Sequence, residues 1–233
     1  MQIITKITQL TLLNVLVCLL SVTAMVQAKT PENLTNQSIK NGELIQPGQT
    51  PDGISDSEWN SIQQQINAGK YRAHPDTTGG YNSSNPAQGW QIRYSSNGTT
   101  TLSPRNQQTP SYQLSMTLKA IGYQTLQQLN QPQQLSAKDS TVTYKWNDNI
   151  KEWWINSPTR LEQWFSIAKR PASASNGVPL TLQLTLDSEL RARQSENSIQ
   201  FTDATGTKIT YDKLKVWDAS GRILSATMQL TNN

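Results

Sequence analysis

The sequence has few of the residues on which common enzyme and metal sites depend. It contains one cysteine, Cys18, and one histidine, His74. A single residue of each type excludes a disulfide within the chain and argues against a zinc site, which needs several such ligands at short spacing. Neither a Gly-x-Ser-x-Gly nucleophile elbow nor a glycine-rich phosphate loop occurs. We therefore predict no metal and no cofactor.

Charge is also scarce. Charged residues make up 15% of the sequence, and the formal net charge is +4. The basic residues are scattered, with a few close pairs such as Lys169 with Arg170 and Arg191 with Arg193. A nucleic-acid-binding surface would instead cluster its basic residues and place aromatic residues among them. The composition thus indicates a solvated surface and no nucleic-acid partner.

The N-terminal residues have the features of a secretory signal peptide. Lys6 supplies a positive charge, an apolar run follows over 10–26, and small residues stand at Val26 and Ala28. These features predict a signal peptide over 1–28 with cleavage between Ala28 and Lys29. A transmembrane anchor is the alternative, but it requires about 20 apolar residues and this run is shorter. We expect no membrane span after cleavage.

Removal of this peptide would also remove the only cysteine, Cys18. A lipoprotein signal is a further alternative, but it needs a small residue before the cysteine, and Val17 is not small. A secreted protein without disulfides is typical of a bacterial envelope. The predicted location is therefore extracellular or periplasmic.

After the signal peptide, residues 29–51 lack apolar periodicity and predict a disordered leader. A helix is predicted near 56–68, where Ser55 and Glu58 form a capping box and Gly69 follows as a terminator. Trp59, Ile62 and Ile66 give this helix one narrow apolar stripe, so we expect it to pack on another element.

The rest of the predicted domain, 52–233, has the pattern of β-strands. In 180–186 leucine alternates with polar residues, and Asn97-Gly98 is a strong hairpin turn between two alternating segments. The segments 71–89 and 124–138 are polar and predict loops. Roughly ten short antiparallel strands joined by polar turns predict an all-β sandwich, with a closed β-barrel as the alternative.

Three of the seven tryptophans lie in one stretch, 150–171. Within it, 152–166 resembles a motif in the N-terminal module of secreted bacterial proteins with FG-GAP, integrin-alpha-like (SBBP-type) β-propeller repeats. That motif reads approximately Glu-Trp-Tyr-x-Asn-x-x-x-Gly-Leu-Glu-Gln-Gly-Phe-Thr. The residues that match it are Glu152, Trp153, Asn156, Leu161, Glu162, Gln163 and Phe165.

The chain departs from this motif at three positions. Trp154 replaces the tyrosine, and Arg160 and Trp164 replace the two glycines. Glycine often marks a backbone conformation that other residues avoid, so an altered turn is expected there. The resemblance implies a non-enzymatic cell-surface or secreted module with a structural or protein-interaction role.

Two other functions are open from the residues alone. Glu152 and Glu162 could form the carboxylate pair of a glycoside hydrolase, although no feature of the sequence fixes their separation. The tryptophans could stack on sugar rings in a carbohydrate-binding module. Since adjacent strand residues point to opposite faces, one of Trp153 and Trp154 should be buried and the other exposed. The exposed one, together with Trp164, is the predicted binding site for a protein or glycan partner at the cell surface.

Overall fold

The structure is a computed structural model that describes residues 1–8, 16–23, 38–40, 43–45, 50–51, 53–105, 107–171 and 177–231, with the backbone alone at 8, 16–23, 38–40 and 43–45. The chain divides into two compact units, 1–25 with 71–233 and 26–70. These bounds differ from the predicted domain over 52–233, because the larger unit includes N-terminal residues and the helix belongs to the smaller unit.

The chain contains one helix, α1 (Asp56–Gly69), and nineteen strands among the described residues. In chain order the strands are β1 (Gln2–Thr8), β2 (Leu16–Thr23), β3 (Ser38–Lys40), β4 (Glu43–Ile45), β5 (His74–Pro75), β6 (Tyr81–Asn85), β7 (Trp90–Tyr94), β8 (Thr99–Pro104), β9 (Leu114–Gly122), β10 (Leu126–Gln128), β11 (Gln134–Lys138), β12 (Thr141–Lys145), β13 (Ile150–Ser157), β14 (Arg160–Ile167), β15 (Leu180–Ser188), β16 (Arg191–Ser195), β17 (Ser198–Asp203), β18 (Gly206–Trp217) and β19 (Ser225–Thr231).

Two open antiparallel sheets build the larger unit. The first has the spatial order β19-β1-β15-β9-β8-β7-β6-β5, with β10 beside β9, and the second has the order β11-β12-β13-β14-β2-β18-β17-β16. Each of these sheets ends in edge strands among the described residues, so neither closes into the barrel that was the alternative prediction. The predicted all-β sandwich is confirmed.

The core of this unit is built from strands in which buried apolar side chains alternate with partly exposed polar ones. In β15, Leu182, Leu184 and Leu186 are buried while the intervening residues are partly exposed. Fully burying one leucine side chain contributes about 1.5–3 kcal/mol to stability, before the entropy of ordering it is subtracted. The alternation read from the sequence therefore positions both sheets with their apolar faces inward.

The segments predicted as loops contain strands that the sequence pattern does not show. The segment 71–89 contains β5 and β6, and 124–138 contains β10 and β11. These strands are short and polar, and β6 buries Ser83 and Asn85 where an apolar residue would normally lie. An apolar-polar count cannot recognise a strand whose inward residues are polar.

The N-terminal residues also differ from their predicted position outside the fold. Strand β1 lies between β15 and β19 in the first sheet, and β2 lies between β14 and β18 in the second. Ile3 and Ile7 are fully buried. The predicted cleavage site at Ala28 and Lys29 lies outside the described residues, so removal of 1–28 stays a prediction.

The smaller unit contains the helix and a short hairpin. Strands β3 and β4 pair within the segment 29–51, which was predicted as a disordered leader. Helix α1 has the predicted capping box, in which Glu58 N donates to the Ser55 side chain and Ser55 N donates to the Glu58 carboxylate. Ile62 and Ile66 are exposed, and no helix residue is buried. That this helix packs on the sandwich stays a prediction. Within the described residues, no helix has the length and apolarity needed to cross a membrane.

Candidate functional site

The tryptophan stretch folds into a hairpin whose two faces carry different chemistry. Strands β13 and β14 pair so that Trp153 lies opposite Trp164 and Glu152 lies opposite Phe165. Alternation places every second residue inside the sandwich. The inward residues are Ile150, Glu152, Trp154, Asn156, Leu161, Gln163, Phe165 and Ile167, and all of them are buried. Trp153, Glu162 and Trp164 lie on the outer face, so Trp154 does not contribute to a surface site.

A buried carboxylate lies at the centre of the inner face. Glu152 is 1% exposed and accepts three hydrogen bonds, from Trp146 Nε1 at 2.9 Å, Trp154 Nε1 at 2.9 Å and Gln163 Nε2 at 2.7 Å. Gln163 Oε1 in turn accepts a bond from the Tyr211 hydroxyl at 2.8 Å. All of these partners are electrically neutral. The cluster therefore orients the carboxylate without neutralising its charge.

Burial dominates the protonation of this group. It raises the pKa of Glu152 to about 7, while the bonds from Gln163, Trp146 and Trp154 act in the opposite direction. Desolvation disfavours the charged form, and neutral donors offset only part of that cost. Glu152 is thus a buried acid that titrates near neutral pH.

A glycine turn positions one of the donors to Glu152. Gly98 closes the predicted hairpin between β7 and β8 with a φ of 91°, and a Cβ atom there would lie 2.4 Å from the Trp146 ring. Only glycine combines this φ with so close an approach. The turn on the first sheet therefore fixes the indole that donates to Glu152 from the second sheet.

Two buried asparagines join the sheets nearby. Asn85 Nδ2 donates to Asn156 Oδ1 at 2.8 Å, and Asn156 Nδ2 donates to the carbonyl oxygens of Ser84 at 2.8 Å and Tyr71 at 3.1 Å. Asn85 and Asn156 are almost completely buried. Buried amides must be paired, so these bonds fix one alignment of β6 against β13. Asn156 is therefore a structural residue.

The two glutamates proposed for hydrolysis do not face each other. Glu152 points into the sandwich, whereas Glu162 lies on the outer face and accepts bonds from Arg160 Nε at 2.5 Å and Trp164 Nε1 at 3.0 Å. A glycosidase needs both carboxyl groups on opposite sides of one scissile bond. The sheet separates this pair, so the geometry gives the hydrolase hypothesis no support.

The outer face carries three parallel indoles. The ring centroids of Trp153 and Trp164 are 5.8 Å apart with planes at 12°, and those of Trp164 and Trp217 are 6.0 Å apart with planes at 6°. All three side chains are partly exposed. Offset parallel stacking at this distance is a favourable geometry for aromatic rings. We call Trp153, Trp164 and Trp217 the tryptophan array.

Trp217 belongs to the array but is not among the site residues predicted from the sequence. Alternation around Val216, which is buried, would have placed Trp217 on the outer face. The sequence does not show that Trp217 lies next to Trp164, because β14 and β18 each pair with β2 and not with each other. Stacking of rings from different strands depends on the order of the strands in the sheet, which cannot be read from the sequence.

Exposed basic residues border the tryptophan array. Lys151 lies two positions before Trp153 on the same face of β13, and Lys215 lies two positions before Trp217 on β18. Both side chains are exposed. Two acidic residues lie on the same face: Glu162, which is bound by Arg160 and Trp164, and Asp212, which pairs with the same β2 residue, Ser21, as Glu162 does. The two exposed lysines therefore place a cation beside each of the outer tryptophans of the array, Trp153 and Trp217.

Comparison with known proteins reveals no relative: no family model, no curated protein and no solved structure matches this chain. Among the described side chains, no three His, Cys, Asp or Glu residues come close enough together to hold a metal ion.

Proposed function

We propose that this protein is a non-catalytic, secreted or cell-envelope module that binds an acidic, partly apolar segment of a partner protein on the tryptophan array. The observation that carries the proposal is the set of three parallel, partly exposed indoles on one sheet face. The resemblance of 152–166 to the head modules of propeller-repeat surface proteins agrees with an interaction role.

Exposed tryptophans are well suited to a protein interface. Each indole can bury a large apolar area on binding, and its two rotatable side-chain bonds limit the entropy lost. In the array the rings already hold one another in place, and the Glu162 carboxylate fixes Trp164 through its Nε1. Preorganisation of this kind lowers the cost of association.

The charge at the border indicates the character of the partner. Lys151 and Lys215 present two cations beside the apolar rings. A partner with carboxylates next to apolar side chains would complement both features. A strongly basic partner would be repelled, so the array favours acidic sequences.

A carbohydrate is the second candidate, since flat aromatic rings also stack on sugars. The array limits how a sugar could bind. A sugar inserted between two parallel rings needs a van der Waals contact of about 3.5–4.0 Å on each side. The centroids of neighbouring rings are only 5.8 and 6.0 Å apart, so a sugar would have to lie on the outside of the array.

Peptide display on the immobilised full chain tests the proposal. A library of random linear peptides is panned against the protein, and the selected peptides are measured against Trp164→Ala and against a control, Gln200→Ala, on β17 of the same sheet. We expect selected peptides to combine Asp or Glu with apolar residues and to lose at least about tenfold in affinity for Trp164→Ala alone. If no selected peptide depends on Trp164, the proposal is wrong.

A glycan array with neutral and uronic-acid oligosaccharides is probed in parallel with the same two variants. Binding that depends on Trp164 there, with no such binding to peptides, would establish the carbohydrate function in place of the protein one.

A further inference from the structure

Strand β1 lies between two other strands in the first sheet. It is antiparallel to β15 on one side, where Ile3 pairs with Leu184, and antiparallel to β19 on the other, where Ile3 pairs with Leu230. Its backbone is thus paired along both edges over 2–7. Both neighbours come from the last third of the sequence, so β1 is held by long-range pairing and not by a hairpin turn.

The side chains of β1 define what this position accepts. Ile3 and Ile7 point inward and are fully buried, and Thr5 between them is 1% exposed. Ile4 and Lys6 point to the outer face, where they are partly exposed. The pattern is an extended strand with apolar residues at two inward positions four apart and a small residue between them.

The inward position at Thr5 is tolerant of other small residues. The Thr5 Oγ1 is buried and has no hydrogen-bond partner among the described residues. An unpaired buried hydroxyl costs free energy and gives no specificity. Alanine or valine would therefore suit this position at least as well as threonine.

Strand β1 lies within the predicted signal peptide over 1–28, to which Lys6 supplies the positive charge. Cleavage between Ala28 and Lys29 would remove β1 and leave β15 and β19 facing each other across an empty strand position. Each would expose unpaired backbone N–H and C=O groups beside buried apolar side chains, which are leucines in β15 and Met228 in β19. Such edges are the usual acceptors of an added strand from another polypeptide. The same cleavage would also remove β2, which lies between β14 and β18 in the second sheet.

We propose that the gap between β15 and β19 is a strand-acceptor site. Residues 2–8 fill it in the unprocessed chain, and after cleavage an extended segment of another polypeptide fills it, antiparallel to both strands. The occupant carries apolar residues at two inward positions and a small residue between them. The site lies in the first sheet and does not depend on the tryptophan array of the second, although its exchange of occupants rests on the predicted cleavage.

The test uses the full chain with a site-specific protease sequence substituted over 9–15. After cutting, a fluorescent peptide with the sequence of residues 1–8 is added in excess, and binding is followed by fluorescence anisotropy. We expect the cut protein to take up the labelled peptide and the uncut protein, whose gap is filled covalently, to take up none. If cutting unfolds the protein, excess peptide is expected to preserve the fold.

Matched peptides make the test specific. An Ile3→Asp peptide should bind at least about 100-fold more weakly, because it places a carboxylate in the core. An Ile4→Asp peptide, with the same charge on the outer face, should bind nearly as well as the native sequence. Equal binding of the two peptides overturns the proposal. A cut protein that keeps its circular dichroism and melting temperature but binds no peptide also overturns the proposal. A cut protein that unfolds despite excess peptide overturns it as well.

The outcome is separable from that of the proposed function. A Trp164→Ala chain should take up the labelled peptide as well as the wild-type chain. Peptide uptake that fails while Trp164-dependent ligands are found would remove only the strand-acceptor site.

Discussion

The two faces of the β13–β14 hairpin use tryptophan and glutamate in opposite ways. On the inner face, Trp154 donates to Glu152 inside a sealed cluster. On the outer face, Trp164 donates to Glu162 in the same i, i−2 arrangement, but both side chains remain partly accessible. The same local pairing is therefore part of the core on one side, and on the other it lies on the surface that we propose binds a partner. Burial decides the role of each pair.

Removing the inner carboxylate is the largest test of this comparison. Glu152→Ala leaves the N–H groups of Trp146, Trp154 and Gln163 without their acceptor and creates a cavity. We expect a loss of about 4 kcal/mol in the free energy of unfolding. Glu162→Ala, its outer counterpart, should lose no more than about 1 kcal/mol. Urea denaturation of both variants measures the difference, and equal losses would contradict the comparison.

The pH dependence of stability tests the inner pair without changing its shape. The pKa of Glu152 is about 7 in the folded state and 4.5 in its unperturbed state. The folded protein therefore binds the proton more tightly, and its stability falls as pH rises from about 4.5 to about 7. The expected loss is about 3 kcal/mol, because each pH unit of separation is worth about 1.4 kcal/mol.

The control for that measurement is Glu152→Gln, which carries no charge at any pH. Its free energy of unfolding should lack most of the decrease between pH 4.5 and 7; a smaller part remains because burial also raises the pKa of Asp212. Asp203 and Asp218 have lowered pKa values, through hydrogen bonds from Thr205 and Ser220 respectively, so their contribution is lost at lower pH and lies outside this window. The same decrease in the glutamine variant would show that another group causes it.

The asparagine pair that joins the sheets gives a smaller effect. Asn85→Ala and Asn156→Ala should each cost about 2 kcal/mol, because each leaves buried polar groups unpaired. Since the two side chains share a hydrogen bond of 2.8 Å, the double variant should lose less than the sum, with a coupling of about 1 kcal/mol. A double-mutant cycle by chemical denaturation measures it, and strict additivity would mean that the bond contributes nothing.

Replacing the two lysines beside the array should have the smallest effect, a modest loss of affinity for an acidic ligand. Lys151→Ala with Lys215→Ala is expected to weaken an acidic ligand from the display experiment by about three- to tenfold at low salt. The loss should shrink as ionic strength rises, because exposed charges are screened. Lys138→Ala, an exposed lysine on edge strand β11, is the control. An unchanged affinity and salt dependence would remove the charge argument for an acidic partner.

Much of this arrangement follows from local sequence rules. Alternation predicts the strands of the sandwich and places Trp153 and Trp154 on opposite faces, and Asn97-Gly98 predicts a turn that the structure contains. These local rules do not predict features that depend on pairing between strands that are far apart in the sequence. Strands β5, β6, β10 and β11 are polar segments that become strands only because a neighbouring strand offers its backbone. Which tryptophan is buried and which ones stack depend on strand order, and Trp217 joins Trp164 across β2 for that reason.

The N-terminal residues are a second place where local sequence rules do not predict the structure. The charge of Lys6 and the apolar run predict a targeting segment, and apolar residues suited to a membrane are equally suited to a sheet interior. Ile3 and Ile7 lie within the predicted signal peptide, before its apolar run, and both are fully buried in the sheet. Local composition cannot decide between two environments that are both apolar, whereas the free backbone edges of β15 and β19 favour a strand.

The central claim is that the inner face of the hairpin holds the fold and the outer face binds. The most direct measurement is the affinity of a display-selected peptide for Trp164→Ala, taken together with the free energy of unfolding of that variant. We predict at least about a tenfold loss of affinity with a change in the free energy of unfolding below about 1 kcal/mol. An unchanged affinity, or a loss of affinity that only follows from unfolding, would contradict it.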